Sequence, residues 1–295
     1  MKTLVTGWFS FEHMGASAGD LMARDVVCEW LKQAGHSYDL ALAPPFDEGV
    51  NWRSIDALEY DQLVFVCGPF ASHGPLAGLL QKFAHCRKIG VNLTMMEPLD
   101  FGNPFDFLWE RDSAAGARPD IALLSKQKLV PVVGLLQIDM QPEYRERDKH
   151  AQADQAIHRL ADARPMVVVP IDTRLDLANA TGLRTASDVE SLIARMNVVI
   201  TTRLHGMVLA LKNGIPVIAI DSVSGGAKVT RQAGAIGWPV ALSVDRLTDE
   251  TLQQAFDYCL TEEASHMARK CRDRAIAELL EVRRQFIAAL ALAER

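Results

Sequence analysis

Short apolar runs rich in β-branched residues alternate with longer amphipathic segments along the whole chain. In the first half, TLVTG (3–7), DQLVFVCG (61–68), KIGVNLT (88–94), FDFLWER (105–111) and a weaker SYDLALA (37–43) predict strands. Between them, AGDLMARDVVCEWLKQAG (18–35) sets Leu21, Val26, Val27, Trp30 and Leu31 on one side, which predicts a helix ended by Gly35. In the second half, LVPVVGLLQ (129–137), PMVVVPID (165–172), NVVITT (197–202), IPVIAID (215–221) and WPVALS (238–243) are nearly continuously apolar, as strands buried on both faces are. Such alternation predicts an α/β protein with parallel sheets covered by helices. The stretch SAAGARPDIALLSKQK (113–128) passes from Gly, Ala and Pro to basic polar residues, and the chain is therefore divided into two Rossmann-like domains, 1–125 and 126–295. The end of the chain is one long helical pattern, with Met267, Cys271, Ala275, Leu279, Val282, Phe286 and Leu290 spaced by fours and a three. Its other face carries Arg269, Lys270, Arg272, Arg274, Arg283 and Arg284 and reads as a solvated basic face.

Composition adds boundaries to this picture. The 295 residues suffice for two ordinary cores, and 49% hydrophobic with 23% charged residues is an ordinary globular balance. A net charge of -6 lacks the basic footprint of a general nucleic-acid binder, so no nucleic-acid partner is expected. Cys28, Cys67, Cys86, Cys259 and Cys271 are scattered and form no C-x-x-C pair, which suits reduced, buried thiols of a cytoplasmic protein. No apolar run of about 18 residues occurs, so no transmembrane segment is expected and any membrane contact is peripheral. The oligomeric state is not set by anything in the sequence.

In open parallel sheets, ligands gather beyond the carboxyl ends of the strands, so the strand-to-helix loops are where chemistry is sought. TTRLHG (201–206) places Arg203 and His205 between a strand and a helix. If the link is extended, both point to one side while Leu204 points inward. They would then meet at a helix N-terminus whose N–H groups, Gly206 among them, favour an anion. A guanidinium adds bidentate recognition of carboxylate or phosphate, and an imidazole adds a proton donor. A structural Arg–carboxylate pair with a capping His is the competing reading. DSVSGGAKV (221–229) offers the Ser222 and Ser224 hydroxyls, the permissive Gly225 and Gly226, and Lys228, in the manner of a phosphate cradle without the Walker A pattern. GWFSFEHMGASAGD (7–20) is long for such a loop and turns at Gly15 and Gly19; its Glu12 and His13 do not form a zinc motif. CGPFASHGPL (67–76) brings His73 to the same rim. Asp172 and Asp176 in DTRLD are read as loop caps rather than magnesium ligands, and no cluster with metal-ligand spacing is present.

The segment VVITTRLHGMVLALKNGIPVIAID resembles the most recognisable motif of the polysaccharide pyruvyl transferase family, a strand ending in R-L-H, a helix, and a G-[IV]-P strand. GASAGD (15–20) looks like that family's glycine and G-D loop, although an asparagine often precedes G-D there. WERDSAAGARPDIAL (109–123) looks like its R-D-x-S segment followed by P-D. The resemblance implies a two-domain fold similar to GT-B glycosyltransferases, with the terminal helix crossing back toward the first domain. It also implies transfer of the enolpyruvyl unit of phosphoenolpyruvate to two hydroxyls of a sugar or glycan precursor, giving a ketal and phosphate. On this reading His205 and Arg203 are catalytic, and the donor anion is held by Arg203, Gly206, Ser222, Ser224, Gly225, Gly226 and Lys228. Gly15, Gly19, Asp20, His73, Arg111 and Asp112 are either on the acceptor side or without an assigned role, Asp112 either binding the acceptor or simply pairing with Arg111. Phosphoenolpyruvate is the donor substrate, and no cofactor or metal is expected. The alternatives are a GT-B glycosyltransferase using a nucleotide sugar, since the same helix N-terminus would accept a diphosphate, and a non-catalytic phosphoanion-binding protein.

Overall fold

The structure, a computed structural model, describes residues 1–12, 15–137, 142–226 and 228–292. The first unit, Met1–Lys128, begins with strand β1 (Lys2–Thr6), helix α1 (Ala18–Gln33) and strand β2 (Ser37–Leu40). β3 (Gln62–Phe70), α2 (Pro75–Lys82), β4 (Arg87–Met95), a single turn α3 (Leu99–Gly102), β5 (Phe107–Ser113) and β6 (Gly116–Ala117) complete it. The sheet order is β2-β1-β3-β4-β5-β6, parallel except for the short β6, which pairs antiparallel with β5. α1 starts where Ser17 and Asp20 satisfy each other's backbone N–H in a capping box. It stops as Gly35 takes φ +73°, the left-handed turn that glycine adopts without strain.

The second unit, Leu129–Arg295, runs β7 (Val132–Leu136), α4 (His150–Ala163), β8 (Val167–Pro170), α5 (Ala186–Ile193), β9 (Val198–Thr201) and α6 (Leu204–Lys212). There follow β10 (Val217–Asp221), α7 (Lys228–Ile236), β11 (Ala241–Ser243), α8 (Asp249–Cys259) and α9 (Glu262–Leu292). Its sheet is wholly parallel in the order β11-β10-β9-β7-β8. Within each unit the chain thus lays down the same wiring, 2-1-3-4-5, a doubly wound α/β sheet in which the strand order reverses between the first and third strands. Val198–Ile200 and Val217–Ile220 are buried at the centre of the second core, as their unbroken apolar runs demand.

One expectation is corrected. The run PMVVVPID was expected to be buried on both faces, but β8 is the edge strand, with Val167 48% and Val168 38% exposed. Pro170 is tolerated there because an edge strand has one row of unpaired backbone groups. α9 packs its first half on α6, α7 and α8, burying Ala264, Ala268 and Cys271.

Candidate active site

The carboxyl ends of β7 and β9 flank the point where the second sheet reverses its strand order, and there α6 begins. α1, α5 and α8 each open with a Ser or Thr capping box. α6 has Arg203 at its N-cap, φ -99° and ψ 135°, and no side-chain cap hydrogen bond. A guanidinium has no acceptor to offer the helix, so among the described residues no N-cap side chain satisfies the first-turn N–H groups at the positive end of the dipole. Gly206 fits this turn for a steric reason: a Cβ on it would lie 2.2 Å from Thr201 Oγ1, so only glycine lets α6 sit this close to β9. Thr201 Oγ1 in turn accepts from Arg203 N–H at 2.9 Å and donates to the Leu136 carbonyl at 2.9 Å, tying the helix start to β7.

The link between β9 and α6 is extended only as far as Arg203; Leu204 and His205 are already helical, so strand-like alternation does not govern their directions. Arg203 is buried at 8% exposure. Its Nε donates to the Gln137 carbonyl at 2.7 Å and its Nη1 to Thr173 Oγ1 at 3.1 Å, with Asp172 Oδ1 3.3 Å away. His205 is exposed in the first turn of α6. Asp172 also binds Arg174, whose Nη2 lies 2.8 Å from Oδ2. Burial pushes the Asp172 carboxyl up, but the hydrogen bonds from Arg174 and the charges of Arg203 and Arg174 outweigh it and hold it below the usual range. Asp176 caps the loop by accepting from Ala178 N–H at 2.8 Å. Among the described residues no group of three His, Cys, Asp or Glu is placed to hold a metal ion.

The loop after β10 corrects the cradle expected of SVSGGAK. Gly225 and Gly226 do adopt the left-handed region at φ 77° and 74°. Yet Ser224 N–H is donated to the Arg147 carbonyl, Gly225 N–H to Asp245 Oδ2 at 2.7 Å and Gly226 N–H to the Val223 carbonyl. The backbone donors that would have held a phosphate are spent within the chain. Asp245 occupies the anion position, and the Gly225 N–H, followed by the Ser224 hydroxyl, holds its carboxyl low. Ser222 is buried, its carbonyl accepting from Lys149 N–H, while Lys228 is exposed at the start of α7 and Ala227 lies outside the described residues. Arg147, in the polar run RERDK, escaped the sequence reasoning because nothing distinguishes it there from a solvated charge. Its Nε and Nη2 clamp the Ser224 and Gly226 carbonyls at 2.8 and 3.1 Å. His150 was equally invisible: it is 3% exposed at the first position of α4, with Nδ1 2.7 Å from Asp148 Oδ1.

On the first unit, Asp20, Arg111 and Asp112 converge on one polar cluster, whose centre is a distortion of the sheet. Cys67 in β3 and Asn92 in β4 both take positive φ, 65° and 61°, where the regular pairing of the two strands is interrupted. Asn92 Nδ2 donates to Cys67 Sγ at 3.3 Å and to Asp120 Oδ1 at 2.9 Å. Arg111 spends Nη1 on Asp120 at 2.9 Å, Nη2 on Thr94 Oγ1 at 2.6 Å and Nε on Asp112 at 3.2 Å. Burial, then the neighbouring Asp20, pushes the Cys67 thiol up to about 11. Arg111 therefore ties the R-D and P-D pieces together, and Asp20 is committed to the α1 cap through Ser17 N–H at 2.7 Å. Gly19 has open space around it, the nearest atom to a Cβ being Ser17 Oγ at 3.6 Å, and Gly15 turns the chain at φ 67°. His73 stands apart and is exposed, its Nδ1 3.1 Å from Glu97 Oε1. Ser72 N–H and hydroxyl fix the other Glu97 oxygen and hold that carboxyl low, with His73 adding to the effect. His13 lies outside the described residues.

Fold and site together define a two-unit, doubly wound α/β protein whose second unit sets a buried arginine at the start of α6. Residues 118–224 match the family model described as polysaccharide pyruvyl transferase, a span that takes in β7 to β10 and holds Asp172, Arg203, His205, Ser222 and Ser224. Similar solved structures include the spinosyn rhamnosyltransferase SpnG complexed with thymidine diphosphate, at 13% identity over 94% of this chain and 96% of that one, TM-score 0.36. MurG of Acinetobacter baumannii aligns at 11% identity over 95% and 99%, TM-score 0.34. The UDP-GlcNAc 2-epimerase of Methanocaldococcus jannaschii aligns at 8% over 90% and 94%, TM-score 0.33. At these scores the fold is read from the sheet topology itself. No curated protein matches the chain. Among the described residues, no helix is long and apolar enough to cross a membrane.

Proposed function

We propose that the protein transfers the enolpyruvyl group of phosphoenolpyruvate to two hydroxyls of a sugar or glycan precursor, with the donor seated at the N-terminus of α6. The observation that carries this reading is the start of that helix, where an arginine holds the N-cap position. It lacks a side-chain cap, it places His205 in the open, and Arg203 is locked in place beside it by Gln137 and Asp172. The family match over 118–224 supports the reaction class, and the buried Arg203 guanidinium beside the helix N-terminus suits an anionic donor.

In this scheme His205 gives a proton to the methylene carbon of the donor, leaving an oxocarbenium centre at the adjacent carbon. One acceptor hydroxyl adds there, the carbon–oxygen bond to phosphate breaks, and the second hydroxyl closes the ketal. Of the two hydroxyl protons released, one replaces the proton that His205 gave and the other leaves with phosphate. Arg203 acts as a fixed charge beside the anion and as the support for the turn. The acceptor is assigned to the first unit, where His73 is oriented by Glu97; no metal or cofactor takes part in the scheme. The test is phosphate release from phosphoenolpyruvate, with mass analysis of candidate acceptor sugars. Stoichiometric phosphate and pyruvylated sugar are expected, whereas glycosyl transfer from a nucleotide sugar without either product would replace this reading.

A further inference from the structure

The apolar positions Ala268, Cys271, Ala275, Leu279, Val282, Phe286 and Leu290 of α9 follow one another at steps of three, four and four, an eleven-residue repeat. That period is close to the natural pitch of an α-helix, so the positions form one nearly straight stripe. The first part of the stripe is buried against α6, α7 and α8, with Ala268 at 0% and Cys271 at 5% exposure. Among the described residues of the second unit nothing covers the second part: Leu279, Val282, Phe286 and Leu290 are 56–62% exposed, and Ile276, Leu280 and Ile287 flank them at 48–56%. Where the two parts join, α6, α7 and α9 enclose a groove of about 530 Å3, walled by Val208, Leu211, Ala235, Ile236, Ala275 and Leu279.

We propose that this surface is an isologous interface, in which two copies of the chain pair their α9 helices antiparallel and each inserts Phe286 into the groove of the other. Two observations select a second copy as the occupant. The stripe and the groove are continuous and share Leu279 and Val282, so one surface presents both the knob and the hole that a twofold contact requires. Seven large side chains, each about half exposed, leave on the order of 500–700 Å2 of apolar surface per copy. With the groove walls this approaches the roughly 800 Å2 per partner of a stable complex.

Light scattering after size exclusion, run over a range of micromolar concentrations, should give twice the 32.5 kDa chain mass. Val282→Asp and Phe286→Asp should each give monomers with unchanged helix content, because both side chains are more than half exposed in the single chain, and with a melting temperature that no longer rises with protein concentration. Mild oxidation should cross-link Val282→Cys across the twofold axis and leave Ala288→Cys, on the other side of the helix, uncoupled. A monomeric wild type at every concentration overturns the proposal, as does a dimer indifferent to both Asp variants. Monomers that float with anionic lipid vesicles, and stop doing so on Phe286→Asp, would overturn it in favour of a membrane-facing helix.

Discussion

His205 and Arg203 are separated by one residue, yet their surroundings assign them different work. The exposed imidazole bears no structural load that its loss would release, so His205→Ala should keep its fold and lower turnover by about 100- to 10,000-fold, the range of general acid catalysis. Circular dichroism alongside steady-state rates checks this, and full activity in a folded variant removes the proton-donor role. Gly206 behaves oppositely. Gly206→Ala forces a Cβ into Thr201 and should cost roughly 1–3 kcal/mol in urea unfolding, as overpacked sites do. Asp172→Asn takes one charge partner from the buried Arg203 guanidinium and should cost about 2–4 kcal/mol. The sign of its pH effect follows from the lowered carboxyl. Between the folded and unfolded values the unfolded chain binds the proton more readily, so the stabilisation is complete above about pH 4 and fades below it. Acid titration of stability should be shallower in Asp172→Asn than in the wild type.

Element boundaries were largely legible because apolar runs and caps are local signals. The strand expected over 61–68 is β3 at Gln62–Phe70, and the helix expected over 18–35 is α1 at Ala18–Gln33. Burial of β8 was not legible, since edge or centre depends on which strands are added after it. The cradle misreading has a related cause: glycines report that a loop turns tightly, but the carboxylate that fills it, Asp245, comes from a distant part of the sequence. Asp20 illustrates the same ambiguity, as S-x-x-D serves equally for a helix cap and for a G-D motif. Asp20→Ala should lose about 1 kcal/mol of stability, the usual value of such a cap. Thermal unfolding with activity assayed on the folded fraction separates the two roles. Unchanged activity per folded molecule is expected, and a turnover defect exceeding the stability loss would return Asp20 to acceptor binding.

At the scale of the molecule, two units with the same 2-1-3-4-5 wiring differ in what their strand ends carry. The first unit closes its rim with Arg111, Asp120 and Asn92 bonded to one another and starts α2 at Gly74, whereas the second sets the buried Arg203 at the start of α6. That asymmetry underlies the assignment of the donor to the second unit, and the sequence revealed it only because Arg203 and His205 occupy positions where Ser or Thr begins other helices. The family match supports the reaction class, while the identity of the donor rests on the α6 site. Calorimetry in the presence of a chelator, titrating phosphoenolpyruvate and a panel of nucleotide sugars into wild type and His205→Ala, tests that assignment directly. Saturable binding of phosphoenolpyruvate to both proteins, with no nucleotide sugar bound, is the expected result; saturable binding of a nucleotide sugar alone would contradict it.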